Sequence, residues 1–351
     1  GEEAGAEGRP PKRPKPGGSA GGAIGREWGP PPGGPCRAPG PGESVWAPLT
    51  YQGDDVPRGL VATGRVRTMR DGSGADGEYV GCEFVRRDVR VSSGRGREFS
   101  LDRHGFTLVA DAREHIDFGD EGQILREYYP ICCELVRRAT GAAEVYAFDH
   151  NVRSQARCTA QASLRGGNAV QGPAFVVHND YTSTSAPRRV RDLARPPKAN
   201  DTLRKVLGER PLVDPGRVEE LLSGRWALVN VWRNIKATPV QKLPLALCVG
   251  PSVPLEDIVT FEIHYADRVG ENYFAGKSTD HEWCYFPGAS RDEAILLKCW
   301  DSAGEAFARP GRGGGERVPA TFSFHTAFED PSTLPDADDR ESIEVRTVVF
   351  F

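Results

Sequence analysis

The chain contains no long apolar run. No stretch could cross a bilayer as a helix, so a membrane partner is not expected. It also has no C-x-x-C pair. Its eight cysteines (Cys36, Cys82, Cys132, Cys133, Cys158, Cys248, Cys284 and Cys299) are scattered, which argues against a zinc ribbon or a small disulfide scaffold. Buried free thiols in a reducing interior are expected instead. Net charge is small: 45 basic against 49 acidic side chains, formally −4. Such a balance gives no general pull toward nucleic acid or acidic membranes. No repeat period appears, and no signal-peptide h-region follows Gly1. A trimmed or partial product with a cytoplasmic location is the expectation.

What is present suits an ordinary globule. A chain of 351 residues, 38 % hydrophobic and 9 % aromatic, can bury a sizeable core. Gly and Pro dominate the opening, from "GEEAGAEGRPPKRPKPGG" to "GGPCRAPGPGES". That composition does not offset the entropy cost of ordering, so residues 1–45 are expected as a disordered tail. Its basic "PPKRPKP" reads as a solvated segment. One domain is expected over 46–351, with its β core over about 144–351.

In the first part of that domain, strands are expected in "VWAPLTYQG", in "RVRTMRDG" and "GEYVGCEFVRRDVR" joined by a Gly/Asp turn, and in "GFTLVADARE". A helix is expected in "REYYPICCELVRRATGA", with Ile131, Leu135 and Val136 on one face, Pro130 near its start and Gly141 past its end. "EVYAFDHNVR" reads as a strand and "DPGRVEELLSG" as a short helix. Seven strand patterns then follow: "RWALVNVWRNI", "LPLALCV", "IVTFEIHY", "HEWCYF", "EAILLKCW", "ATFSFHTAF" and "SIEVRTVVFF". They predict a mainly β fold with flanking helices, a sandwich or a cupin-like jelly-roll barrel.

The chemistry centres on "VVHNDYTSTSAPRRVRDL". His178 and Asp180 stand two apart where an apolar strand ends, so they project the same way. His325, in "FSFHTAFED", lies on a late strand of the same expected barrel. Two histidines and one carboxylate on one face of a metal leave its other positions open, which is the facial triad of non-haem Fe(II) oxygenases. Those positions can take a bidentate 2-oxo acid and O2. The co-substrate 2-oxoglutarate has a far carboxylate that must be paired when buried. Arg340 and Ser342, two apart on the last strand, form a suitable clamp because a guanidinium grips a carboxylate in two places. Arg346, further along the same face, is the second choice.

Other side chains are weighed on the same grounds. Asn230 and Trp232 share a strand face and are candidates to line the cavity; Arg233 points the other way and reads as structural. Tyr181, just after the carboxylate, is a candidate pocket residue. His150 is a rival ligand, though a satisfied core or pocket-wall histidine is the favoured reading, and Asp149 reads as a structural acceptor. His104, His115, His264 and His281 lack a partner at useful spacing and are expected at the surface or in turns. Arg188, Arg189 and Arg191 read as a solvated helix face.

From about His104 to Phe351 the chain resembles the gibberellin desaturase and cephalosporin 7-methoxylation protein family, which includes fungal hydroxylase/desaturases of secondary metabolism. The resemblance is carried jointly by "HGFTLV", "YYP", "FDHNVR", "VHNDYT", "SAPRRVRDL", "NVWRNI", "PLALC", "DRVGENY", "WCYFPGASRDEAILLKCWDS", "HTAFEDP" and "RESIEVRTVVF". It implies a double-stranded β-helix, Fe(II), 2-oxoglutarate and O2, and a small-molecule substrate. It places the metal ligands on His178, Asp180 and His325 and the carboxylate partner on Arg340 or Arg346. The implied outcome is hydroxylation or desaturation coupled to release of succinate and CO2. Two stretches look longer than the family pattern, 194–216 and "EAFARPGRGGGERVPA"; the first follows the H-x-D loop, where a lid would sit. A cupin-like metal hydrolase or isomerase, needing the triad but not Arg340, and a non-catalytic accessory member are the alternatives.

Overall fold

The alternation of apolar residues along the strand patterns resolves into two facing sheets. The structure is a computed structural model that describes residues 38–70, 76–113, 115–199, 201–306 and 318–351. The expected tail therefore lies almost wholly outside the described residues, as do Cys36, the turn at 71–75 and most of the insertion before His325.

The described strands run in chain order as β1 (Ser44–Gln52), β2 (Arg67–Arg70), β3 (Asp76–Val80), β4 (Phe84–Ser93), β5 (Phe106–Ala110), β6 (Glu144–Ser154), β7 (His178–Asn179), β8 (Trp226–Asn234), β9 (Leu245–Cys248), β10 (Ile258–His264), β11 (Val269–Ala275), β12 (Trp283–Tyr285), β13 (Glu293–Asp301), β14 (His325–Ala327) and β15 (Glu341–Phe350). One sheet has ten strands in the order β1-β4-β12-β9-β14-β7-β11-β10-β2-β3. The other has five, β5-β13-β8-β15-β6, antiparallel throughout. The main core draws on both, including Leu247, Tyr273 and Tyr285 from the larger and Val229, Leu296 and Val345 from the smaller. The architecture is a jelly-roll, the double-stranded β-helix arrangement expected.

The smaller sheet is covered on its outer face. β8 is buried along its whole length, and the helix Tyr129–Thr140 packs on β6 and β15. That helix ends as its sequence requires. Gly141 takes φ 70° and donates its N–H to the Arg137 carbonyl, a conformation that costs a glycine little. Asn230 and Trp232 share one face of β8. Arg233 points away and is fully buried, as its place on the other face demands. Its Nε donates to Tyr128 Oη at 2.9 Å, Nη1 donates to the Arg291 carbonyl at 2.7 Å, and Nη2 meets the Asp111 carboxylate.

Three expectations need correction. β11 has no counterpart among the predicted strands, because Gly270, Glu271 and Asn272 interrupt its apolar pattern; it forms because both neighbours in the sheet supply its hydrogen bonds. β7 and β14 shrink to two and three residues, since pairing there is limited by the short overlap of strands crossing the barrel mouth. His281 is buried rather than surface-exposed: its ring stacks on Tyr51 at 5.7 Å, and its Nε2 lies 3.2 Å from Asp257 Oδ2. All seven described cysteines are free thiols.

The Arg233–Asp111 pair is buried. Arg233→Ala is expected to lower unfolding stability by about 3 kcal/mol, because it removes a fully buried side chain with its hydrogen bonds to Tyr128 and the Arg291 carbonyl and leaves the Asp111 carboxylate with the partly exposed Arg113 alone. Urea unfolding followed by tryptophan fluorescence measures this, and a loss below about 1 kcal/mol would contradict the buried pairing.

Candidate functional site

Strand register brings the two imidazoles together. His325 of β14 is the direct cross-strand partner of His178 of β7, and their ring centroids lie 4.4 Å apart. Each ring is aimed by its own strand. His178 Nδ1 lies 2.8 Å from the Val176 carbonyl and His325 Nδ1 lies 3.1 Å from the Ser323 carbonyl. A carbonyl only accepts, so each Nδ1 carries the proton and each Nε2 presents a lone pair. Burial lowers the pKa of both rings. For His178, burial and then the neighbouring His325 take it to about 4. Both rings are therefore neutral near pH 7, the form a metal needs.

Asp180 completes the group. His178 Nε2 lies 3.8 Å from Asp180 Oδ1, and the three donor atoms lie within 4.8 Å of one another. Two ligands about 2.1 Å from one ion can stand up to about 4.2 Å apart, so the His–Asp gap fits a shared ion. The other carboxylate oxygen is occupied: Oδ2 accepts from Asn230 Nδ2 at 3.0 Å and from Arg346 Nε at 3.1 Å. Burial works against the charge on Asp180, but Arg346, with the Asn230 amide, holds its carboxyl well below the usual range. One oxygen is thus anchored while Oδ1 stays ionised and turned toward the imidazoles.

The smaller sheet supplies the opposite wall in three cross-strand rows. Asn230, Arg346 and Asp149 form one row, Trp232, Glu344 and Asn151 the next, and Asn234, Ser342 and Arg153 the third. In the first row, Arg346 Nη1 also donates to Asp149 Oδ2 at 3.0 Å and Nη2 reaches Glu344 Oε1 at 3.4 Å. Its guanidinium is spent on three carboxylates. Asp149 is the structural acceptor expected.

Beside the triad is a small cavity lined by His178, His325, Trp232, Arg153, Arg340 and Glu344, with apolar Ala174, Leu245 and Ala327. Arg340 is only 5 % exposed. Its Nη1 donates to the Leu243 carbonyl and its cation sits 5.8 Å above the Trp232 ring. No salt bridge to a carboxylate is present for it among the described residues, and its Nε is buried without a partner. Ser342 Oγ, one row away, is likewise buried and unpartnered. Burial, followed by repulsion from Arg153, pushes the Arg340 guanidinium down to about 9. A buried cation with no carboxylate partner and a free Nε, beside two lone-pair imidazoles and close to an unpartnered buried hydroxyl, gives a donor set that suits a divalent metal plus an anionic chelate.

The remaining candidates fall as follows. Tyr181 packs partly buried beside the core, and its carbonyl accepts from Asn179 Nδ2 at 2.7 Å; it does not line this cavity. His150 is on the far face of β6, opposite Val345, and its Nδ1 meets Tyr129 Oη at 2.9 Å. It does not reach the triad, because a one-residue step along a strand reverses the side chain. Arg188, Arg189 and Arg191 stay on their helix, bonded to the Val269 carbonyl, stacked over Phe148 and paired with Glu219. The described part of 194–216 docks Leu203 and Val213 into the main core and does not line the cavity. Sequence reasoning passed over Arg153 and Glu344 as cavity residues; their register with Ser342 and Trp232 was the available signal.

A family model described as "YDMC: Oxidoreductase/YMDC permease-like domain" matches residues 72–350. Among the described residues no helix is long and apolar enough to cross a membrane. The alpha-ketoglutarate-dependent dioxygenase phiK of a fungal species is 31 % identical over 288 residues, covering 80 % of this chain and 92 % of that protein. The hydroxylase/desaturase efuI of Hormonema carpetanum is 28 % identical, covering 83 % and 92 %. The solved structure of the iron and alpha-ketoglutarate-dependent endoperoxidase NvfI superposes with a TM-score of 0.64 at 24 % identity, covering 88 % of this chain and 98 % of that one. At that identity the structural likeness speaks for the fold.

Asn230 touches the carboxylate from outside the donor set. Asn230→Ala is expected to weaken Fe(II) or Mn(II) binding about 10- to 100-fold while leaving the fold intact. Metal titration by calorimetry tests this; unchanged affinity would remove the asparagine from the site.

Proposed function

The chain belongs to the oxidoreductase family that holds the Fe(II)/2-oxoglutarate-dependent dioxygenases, and from that premise we propose that His178, Asp180 and His325 ligate the iron while Arg340 and Ser342 hold the far carboxylate of 2-oxoglutarate. The observation that carries this reading is a three-donor cluster with two oriented imidazoles near a buried arginine whose Nε, and a buried serine whose Oγ, have no partner.

The chain's own residues then have distinct tasks. The imidazoles offer Nε2 and are kept from tilting by their strand carbonyls. Asp180 offers Oδ1, while Arg346 and Asn230 fix the plane of its carboxylate and reduce its tendency to bind through both oxygens. Arg346 is a positioning residue rather than a co-substrate clamp, because its donors already face Asp180, Asp149 and Glu344. Arg340 and Ser342 gain, on co-substrate binding, the partners their burial denies them. Trp232 packs beneath the guanidinium and holds its plane. The surrounding apolar side chains exclude water, which strengthens each polar contact within. When bound, Fe(II) with 2-oxoglutarate and O2 supplies the oxidising power for an unactivated C–H bond.

Within the family, we read the chain as a member of the gibberellin desaturase and cephalosporin 7-methoxylation protein branch, acting on a small molecule of secondary metabolism by hydroxylation or desaturation. Relatives named hydroxylase/desaturase support this reading. A hydrolase or isomerase using the same metal would have no use for the unpaired Arg340.

Anaerobic addition of Fe(II) and 2-oxoglutarate to the full chain is expected to give the visible charge-transfer band of a bidentate 2-oxo-acid chelate. His178→Ala should abolish the band, and a variant that kept full 2-oxoglutarate turnover to succinate would refute the ligand assignment. Arg340→Leu is expected to raise the 2-oxoglutarate Kd about 10- to 100-fold, the loss of a charge-assisted contact, with metal affinity unchanged. Equal 2-oxoglutarate affinity in that variant would favour the hydrolase or isomerase alternative.

A further inference from the structure

We propose that Arg153 is a second guanidinium for the far carboxylate of the 2-oxo acid, and that its presence beside Arg340 makes the cavity selective for a 2-oxo diacid over a 2-oxo acid with an apolar tail. The inference rests on the oxygenase reading above and adds a specificity-determining residue to it.

Arg153 reaches the cavity from a different strand. It lies near the end of β6 and is the direct cross-strand partner of Ser342 on β15, so the two side chains share a sheet face. Asn234 is the partner of Ser342 on the other side, and it is already used. Its Nδ2 donates to the Thr238 and Ala289 carbonyls at 2.8 and 3.2 Å, and its Oδ1 accepts from the Lys236 N–H at 3.1 Å. Arg153 still has donors to give. Its one side-chain hydrogen bond among the described residues runs from Nη1 to the Gly172 carbonyl at 2.8 Å. Nε and Nη2 make none, and no carboxylate pairs with the cation.

The charges around the cavity call for one more anion. The lining holds two guanidiniums, Arg153 and Arg340, against one carboxylate, Glu344. Glu344 pairs with neither; its Oε1 accepts from Arg346 Nη2 at 3.4 Å. The two cations act on each other, since Arg153 stands next after burial among the influences that lower the Arg340 guanidinium. Two like charges in one water-poor wall are costly until an anion joins them.

A count of acceptors shows what the second arginine adds. An ionised carboxylate has about four acceptor positions, and a buried one needs them filled. Arg340 has Nε open, with Nη1 committed to the Leu243 carbonyl. Ser342 adds one hydroxyl proton. Nε and Nη2 of Arg153 supply further donors, while the Gly172 contact keeps the guanidinium in the wall. A 2-oxo acid with an apolar tail meets none of these groups and leaves both cations uncompensated, which penalises it strongly. An anionic group on the oxidised substrate is the other claimant to Arg153; the cross-strand place beside Ser342 favours the co-substrate.

The test uses the full chain loaded with Mn(II) and calorimetric titration with 2-oxoglutarate and with 2-oxopentanoate, which has the same length and no far carboxylate. Arg153→Leu is expected to raise the 2-oxoglutarate Kd about 10- to 100-fold and to leave the 2-oxopentanoate Kd unchanged, so selectivity falls by the same factor. Arg153→Lys, which keeps the charge, should recover part of that loss. If Arg153→Leu misfolds by circular dichroism, Arg153→Gln can keep the Gly172 contact and should show the same fall in selectivity. Equal weakening of both acids would mark a merely structural role and overturn the proposal. Unchanged 2-oxoglutarate affinity would also overturn it and leave Arg153 to the substrate. Failure of Mn(II) to bind the unmodified chain would count against the oxygenase reading instead. Metal-free titration with glutarate then still decides: weaker binding to Arg153→Leu supports the two-arginine anion site, and equal or absent binding overturns it.

Discussion

The arrangement of the site depends on one carboxylate bridging two sheets. Asp180 follows a two-residue strand of the larger sheet, yet its Oδ2 is held by Asn230 and Arg346 of the smaller one. A buried carboxylate with a single partner would pay more in desolvation than it recovered. Here the charge is held by a guanidinium and an amide, with two neutral imidazoles alongside. Arg346 is in turn balanced by Asp149 and Glu344, so the network closes on itself. That closure sets the distance between the sheets at the point where a metal would sit, and it leaves one oxygen of Asp180 turned toward the histidines.

The same accounting of polar groups separates two kinds of arginine. Arg233 and Arg346 are both buried and fully partnered, and each ties strands to neighbouring elements. Arg340 is buried beside them with a single carbonyl and an aromatic face. Proteins seldom leave a guanidinium in that state, and repulsion from Arg153 makes it costlier still. On the proposed reading, an anion entering the cavity would meet the guanidinium's demand for a partner.

Much of this was legible along the chain. The period-two patterns marked β8, β10, β13 and β15 because those strands are long and buried, and the helix ending at Gly141 announced itself through its apolar face and its glycine. His178, Asp180 and His325 could be nominated from H-x-D at a strand end and a late-strand histidine. What escaped notice depended on neighbours. β11 carries Gly270, Glu271 and Asn272 in a strand that exists because β7 and β10 flank it. For His150 the sequence left a core and a pocket-wall place open, and pairing with β15 decides for the core by turning it to the outer face against Tyr129. His281 sits in a short polar stretch and is buried only because Tyr51, from a strand 230 residues earlier, lies over it.

The sequence by itself determined the inventory: which donors could hold a metal, which arginines could meet a carboxylate, and that period-two strands would bury them. Tertiary structure decided the assignments among them. Arg340, just before β15, and Arg346, within it, differ by six positions; only the approach of Asp180 from the other sheet makes the second an anchor and leaves the first without a carboxylate. The physical reason is that a side chain's charge and reach are local, while the cost of burying it depends on partners that folding brings from elsewhere.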